Sequence, residues 1–233
     1  MGSKEKGIGR RKAIGKISII AFSGMVFPQV FLKNLDIYFN DHKKVQILSV
    51  GRGANNILNE LVHSGGRTFR TISIYSDSRD NKDSLADLKI QIGKKTCNGF
   101  SCLADPEIGR KAAKEDAQRI YSVLNGGQVN IIIASLGGGT GTGAGPLIAK
   151  WSVTSGADTF AVLIMPFEFE GKKRSYRALS GKKEFQRILK SAYVCYNRTF
   201  SKVRSFREEI ILCNKMHGEY CRALVNKTRQ RYI

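Results

Sequence analysis

Acidic residues are scarce in this chain, and neither paired cysteine motifs nor long apolar runs occur in it. Only 19 Asp and Glu stand against 39 Lys and Arg, leaving a net charge of +20 over 233 residues. The five cysteines, Cys97, Cys102, Cys195, Cys213 and Cys221, are odd in number and lack tight paired spacing. That pattern suggests neither a disulfide framework nor a zinc site, and it fits a reducing cytoplasm. No apolar run reaches the roughly 18 residues that a spanning helix needs. The nearest, 17–32, contains Pro28 and follows Arg10-Arg11-Lys12, which loosely resembles a signal or transit peptide, but it lacks a small-residue cleavage site. It reads as a basic, apolar arm that touches a membrane or as an added strand or helix. Met1-Gly2 is not completed as a myristoylation signal, because Lys6 stands where Ser or Thr belongs. Internal repeats and low-complexity segments are also missing.

The positive charge that is present is unevenly placed. Residues 1–44 carry 9 basic and 3 acidic side chains, residues 45–170 carry 13 and 12, and residues 171–233 carry 17 and 4. A near-neutral centre therefore lies between basic flanks. Such flanks suit an anionic membrane, an acidic partner or nucleic acid, or are simply a solvated surface. Nucleic acid fits less well, since the interleaved aromatics of a single-strand binding face are missing.

From Val45 onward, strands alternate with helices. Residues 45–50 read as a strand entering Gly51-Arg52-Gly53-Ala54-Asn55-Asn56, after which Ile57, Leu58, Leu61 and Val62 recur at helical spacing. A second strand is expected at 71–75 and a loop at 76–84. Pro106 and Glu107 predict a helix start capped by Asp105, continuing through Ile108, Ala112, Ala113 and Ile120. Residues 129–136 contain Ile131-Ile132-Ile133, a β-branched run suited to a parallel strand covered on both faces. A helix then starts near Gly145 and Pro146, and 159–165 forms another buried strand. This alternation predicts an α/β fold with a doubly wound, mostly parallel sheet.

The loop Gly137-Gly138-Gly139-Thr140-Gly141-Thr142-Gly143 holds five glycines and two threonines between strand and helix. Backbone free of β-carbons can wrap an anion with several N–H groups, and the following helix adds its positive end. Thr140 and Thr142 supply hydroxyls for phosphate, water or a Mg2+ ion. No Lys follows the glycines, so this is not a P-loop. The first glycine turn, 51–56, is a weaker signal alone, because such turns occur without ligands.

Ser135-Leu136, the glycine loop, and Ala144-Gly145-Pro146 resemble the tubulin signature in its FtsZ form. Residues 50–56, 88–93 (Leu-Lys-Ile-Gln-Ile-Gly), 104–109 (Ala-Asp-Pro-Glu-Ile-Gly) and 166–174 (Pro-Phe-Glu-Phe-Glu-Gly-Lys-Lys-Arg) resemble further FtsZ segments in order and spacing. The resemblance implies a Rossmann-like GTP-binding domain over 45–200, preceded by the extension 1–44. A basic helical tail, 201–233, would be the remnant of the family's central helix, with the second domain absent. It also implies that Arg52, Gly53, Ala54, Asn55 and Asn56, together with Gly137, Gly138, Gly139, Thr140, Gly141, Thr142 and Gly143, hold the phosphates of GTP or GDP. Glu170 would contact the ribose, Arg174 the nucleotide, and Asn197 the guanine.

Departures from that pattern shape the expected activity. Arg52 and Ala54 replace glycines. Ile210 falls where the family reads guanine with Asp or Asn, with Asn214 one turn later on the same face. The last Asp is Asp158 and the last acid Glu219, so an acidic loop that would activate water on a neighbouring subunit is missing before Ile233. The expectation is a GTP-binding, cytoplasmic, FtsZ-like protein of cell division or the cytoskeleton, at a division site or membrane. It would act as a homo-oligomer subunit or filament cap with weak hydrolysis or none. A non-catalytic adaptor with basic flanks is the alternative. Loss of resemblance after about Leu179 also fits a frameshift or truncation, whereas the spacing of Ile210, Ile211, Leu212, Met216 and Leu224 predicts a helix.

Overall fold

The computed structural model describes residues 45–63, 69–125, 129–190, 192–197 and 205–232. The expectations for 1–44 lie outside the described residues. Six strands form one parallel sheet: β1 Val45–Val50, β2 Arg70–Tyr75, β3 Leu88–Gln91, β4 Val129–Ser135, β5 Asp158–Met165 and β6 Ala192–Tyr196. Their spatial order is β3-β2-β1-β4-β5-β6. The chain thus winds outward from β1 in one direction and from β4 in the other, as in doubly wound dinucleotide-binding sheets.

Helices cover both faces. On one side lie α1 (Arg52–His63) and, at the end of the chain, the long helix α7 (Phe206–Tyr232). On the other lie α3 (Pro106–Glu115), α4 (Ala117–Leu124), α5 (Gly145–Thr154) and α6 (Lys172–Ile188). A short α2 spans Asp80–Asp83. The isoleucine run in β4 shows why both faces are needed. Ile131 and Ile133 enter the layer under α1, while Ile132 enters the layer under α3 to α6. All three are fully buried, which only a strand sandwiched between two helical layers allows.

The strands also carry polar residues into this core, and one pair of them links the sheet to two helices. Gln46 and Asn130 sit opposite each other in the β1–β4 register. Gln46 Nε2 donates to Asn130 Oδ1 (2.6 Å) and to the Val123 carbonyl (2.9 Å), and Asn130 Nδ2 donates to Ser152 Oγ (2.7 Å). This chain of bonds ties α4 and α5 to the lower edge of the sheet, away from the glycine turns.

Several local expectations are met and others revised. Asp105 caps α3 by accepting from the Glu107 N–H at 2.8 Å, with Pro106 in the first turn. The helix expected to run on to Ile120 breaks at Asp116. Its carboxylate leaves the helical path to accept from the Gly93 N–H (2.8 Å) and from Arg119 Nη1 (2.8 Å), anchoring the turn after β3. The segment 76–84 is not all loop, since it holds α2. The first glycine turn is shorter than expected, because only Gly51, at φ +87°, turns the chain and Arg52 already begins α1.

In α7 the expected helix forms, and of the apolar residues that predicted it Leu224 is buried. Cys213, His217, Cys221, Leu224 and Val225 pack inward, while Ile211, Leu212 and Met216 are exposed. Gly218 permits the approach to α1: a β-carbon there would stand 3.1 Å from Glu60 Cβ. None of the helices among the described residues is long and apolar enough to cross a membrane.

Candidate functional site

The carboxyl ends of β1, β2 and β4 open into a cleft of about 270 Å³, at the point where the two winding directions part. In doubly wound sheets this is where ligands bind, because the connections leave the sheet in opposite directions and expose helix N-termini and strand ends together. Here α1 starts at the cleft, and the loop after β4 forms its floor.

That loop is more ordered than a string of glycines suggests. After Gly137, at φ +94°, the chain winds into a π-helical turn over Thr140–Ala144 that runs into α5. Most of the glycines are there for close packing. A β-carbon on Gly139 would lie 2.6 Å from the Cys102 carbonyl, and one on Gly141 or Gly143 would collide with the carbonyl of Ser135 or Pro106. Gly138 differs, having only open space in front of it. The loop is wedged between β4 and the start of α3, and its half-buried crest at Gly138 lines the cleft.

The two threonines serve different ends. Thr142 is buried and accepts from the Gly137 N–H at 2.8 Å, closing the turn internally. Thr140 lines the cleft, with its Oγ1 2.9 Å from Ser76 Oγ and 3.6 Å from Cys102 Sγ.

Charged residues gather at the other wall. Arg52 Nε donates to Asp80 Oδ1 at 2.5 Å. Arg79 grips Asp77 through Nε (2.9 Å) and Nη2 (2.6 Å), with its backbone N–H adding a third bond at 3.0 Å. The Arg79 side chain thereby holds the Asp77 carboxyl down at about 2. Burial raises the Asp80 carboxyl, and Arg52 opposes that shift. Both carboxylates are committed to guanidinium groups, and each guanidinium carries more N–H donors than these bonds use.

Of the residues singled out from sequence, Arg52, Gly53, Gly138, Gly139, Thr140, Gly141 and Arg174 line the cleft. Ala54, Asn55, Asn56, Gly137, Thr142 and Gly143 do not. Asn55 is 3% exposed and accepts from Ser73 Oγ (3.0 Å) and Ser84 Oγ (2.8 Å), so it braces β2 and the end of α2. Glu170 also stands outside the lining. Its Oε1 accepts from the Phe167 N–H (2.8 Å), and its Oε2 lies 2.8 Å from Arg174 Nε, an ion pair whose alignment falls short of a hydrogen bond. Arg177 Nε donates to the Gly137 carbonyl at 3.0 Å, tying α6 to the loop. Asn197, which follows β6, directs Oδ1 to within 3.1 Å of His217 Nε2 and is not part of the cleft. Ile210 and Asn214 are half-buried on α7 and do not line it either.

Sequence reasoning missed Ser76, Asp77, Arg79 and Asp80, which follow β2, and Ser101, Cys102 and Ala104, which precede α3. Leu103 and Ala104 are left-handed, at φ +46° and +58°, which draws this loop close over the glycine turn. The position of 76–80 after a strand beside β1 was a usable signal. Nothing in the sequence flagged 101–104 beyond the resemblance of the adjoining 104–109.

These features define a class: an α/β domain with a glycine-lined cleft at the switch point of a parallel sheet. The model for the "Tubulin/FtsZ family, GTPase domain" matches residues 33–205. An empty FtsZ dimer from M. jannaschii superposes with a TM-score of 0.74 at 30% identity, covering 86% of this chain and 59% of that one. CetZ2 from Haloferax volcanii, solved as a GTPgS-bound protofilament, gives 0.70 at 20% identity, with 78% and 57% covered. TubZ of Clostridium botulinum phage c-st gives 0.63 at 17% identity, with 78% and 59% covered. The chain belongs to the Tubulin/FtsZ family, and it spans a little under three fifths of the length of these structures.

Proposed function

We propose that this chain binds a guanine nucleotide, GTP or GDP, in the cleft between Gly51 and the glycine loop, as a subunit of an FtsZ-like assembly in the cytoskeleton or in cell division. The observation that carries this reading is the convergence of the open crest at Gly138, the Thr140 and Ser76 hydroxyls and the start of α1 on one cleft of about 270 Å³. Backbone N–H groups and a helix N-terminus suit phosphate oxygens. Arg52, Arg79 and Arg174 line the same cleft and add guanidinium donors shaped for phosphate. The ribose and guanine contacts of Glu170 and Asn197 belong to the resemblance alone, since both side chains are occupied with protein partners.

Hydrolysis by the isolated chain is slow in this reading. Asp77 and Asp80, the carboxylates in the cleft wall, are paired with Arg79 and Arg52, so neither is free to orient a water molecule. The same pairing bears on Mg2+. Among the described residues no three His, Cys, Asp or Glu side chains are grouped to hold a metal, so a bound ion would rest on the Thr140 hydroxyl and the nucleotide's own phosphates.

Equilibrium binding of GTP, GDP and ATP to the purified protein, with phosphate release followed in the same samples, tests the proposal. GTP and GDP binding about tenfold tighter than ATP, a difference of about 1.4 kcal/mol, with negligible release, is expected. Absence of GTP and GDP binding would overturn it.

A further inference from the structure

Two neighbouring thiols, one of them lining the cleft, take no part in nucleotide binding as described so far. Cys97 Sγ and Cys102 Sγ are 3.1 Å apart, and the side chains are 8% and 1% exposed. Local backbone bonds fix each of them: Cys97 N–H donates to the Gly93 carbonyl (2.7 Å), and Asp105 N–H donates to the Cys102 carbonyl (2.8 Å). Their surroundings contain too few ligands to make a metal site, since no group of three His, Cys, Asp or Glu occurs among the described residues. Cys102 is the member that reaches the cleft and receives the Thr140 hydroxyl.

We propose that Cys97 and Cys102 form a reversible oxidation site, closing to a disulfide in the cleft wall when a small hydroperoxide enters. Cys102 Sγ attacks one peroxide oxygen, the O–O bond breaks, and Cys102 becomes a sulfenic acid as hydroxide leaves and takes up the thiol proton to form water. Cys97 Sγ then attacks Cys102 Sγ. The S–O bond breaks, and the Cys97 proton departs with the hydroxyl as a second water. In sum, two thiols and one hydrogen peroxide give one disulfide and two waters. A dithiol reductant reverses the step by exchange.

The two cysteines have distinct parts. Burial, with Cys102 beside it, pushes the Cys97 thiol up, so Cys97 is the poorer first nucleophile and takes the second, resolving part. Cys102 lines the cleft and Cys97 does not, so Cys102 is the thiol that a peroxide in the cleft meets first. Drawing Cys102 Sγ into a covalent bond with Cys97 removes it from Thr140, and Thr140 lies between Gly139 and Gly141 in the phosphate loop. Oxidation therefore lowers nucleotide affinity, a consequence that rests on the reading above.

Peptide mapping tests the site without nucleotide. Trypsin cutting after Lys95 and Arg110 releases a peptide, 96–110, that holds both cysteines. After hydrogen peroxide treatment of the native full-length protein, that peptide should be lighter by two hydrogens and resist alkylation. Dithiothreitol should restore both properties. Cys97→Ser and Cys102→Ser, checked for an unchanged melting transition, should each abolish the closed form. Alkylation of both cysteines after peroxide, or Cys102 proceeding to sulfinic acid while Cys97 stays free, would overturn the proposal. Where GTP binds the reduced protein, oxidation should weaken it about tenfold. Disulfide formation with unchanged affinity would overturn the link to Thr140.

Discussion

Ser76 Oγ and Thr140 Oγ1 meet at 2.9 Å, joining the end of β2 to the glycine loop after β4 across the width of β1. The contact spans the switch point of the sheet and sets two hydroxyls side by side in the cleft. Replacing Thr140 with Val keeps the shape and removes the hydroxyl. Nucleotide affinity should fall about tenfold, while urea denaturation shifts by less than about 1 kcal/mol. Titration of a fluorescent GTP analogue against the variant provides the check. Unchanged affinity would show that Thr140 closes the loop and does not meet phosphate.

Gly138 and Gly139 are neighbours with opposite roles. Gly139→Ala forces a methyl group to 2.6 Å from the Cys102 carbonyl and should cost about 3 kcal/mol of stability. Gly138→Ala meets open space, so stability should change by no more than about 0.5 kcal/mol while nucleotide binding drops. Parallel denaturation and binding curves separate the two effects.

Asn55 provides a test of scaffold against ligand. Asn55→Ala leaves the buried Ser73 and Ser84 hydroxyls without their acceptor and should destabilise the fold by about 2 kcal/mol. Nucleotide affinity of the folded protein should hardly move, because Asn55 does not line the cleft. A loss of affinity with intact stability would assign Asn55 to the ligand instead.

His217 makes stability depend on pH. Burial lowers its folded-state value to about 4, against an ordinary value near 6.5 in the unfolded chain. Between these values the unfolded state binds the extra proton, so stability is highest above about 6.5 and falls as pH drops towards 4. Thermal melts should lose about 2 kcal/mol between pH 7 and pH 4.5 from this group. His217→Gln, which has no proton to gain, should flatten that part of the profile.

Legibility varied with the range of the interaction. Local chemistry was readable: Asp105 and Pro106 marked a helix start, and Ile131, Ile132 and Ile133 marked a strand covered on both sides. The glycine loop was readable as a loop, but only packing shows that Gly139, Gly141 and Gly143 make room for carbonyls and that Gly138 is the open one. In α7, apolar residues lie on more than one face. The spacing of Ile210, Ile211, Leu212, Met216 and Leu224 predicted the helix, and packing against the α1 layer decided that Cys221, Leu224 and Val225 are buried while Ile211, Leu212 and Met216 are exposed.

The sequence by itself determined the alternation of strands and helices, the place of the glycine loop after β4 and the family resemblance, because each rests on neighbours in the chain. The tertiary structure decided the cleft. Its walls are the ends of three strands and the approach to α3, so Thr140 meets Ser76 and Cys102 across 64 and 38 residues of chain. It also decided that Glu170 and Asn197 turn to protein partners, since a side chain's polar atoms bond to whatever folding places beside them.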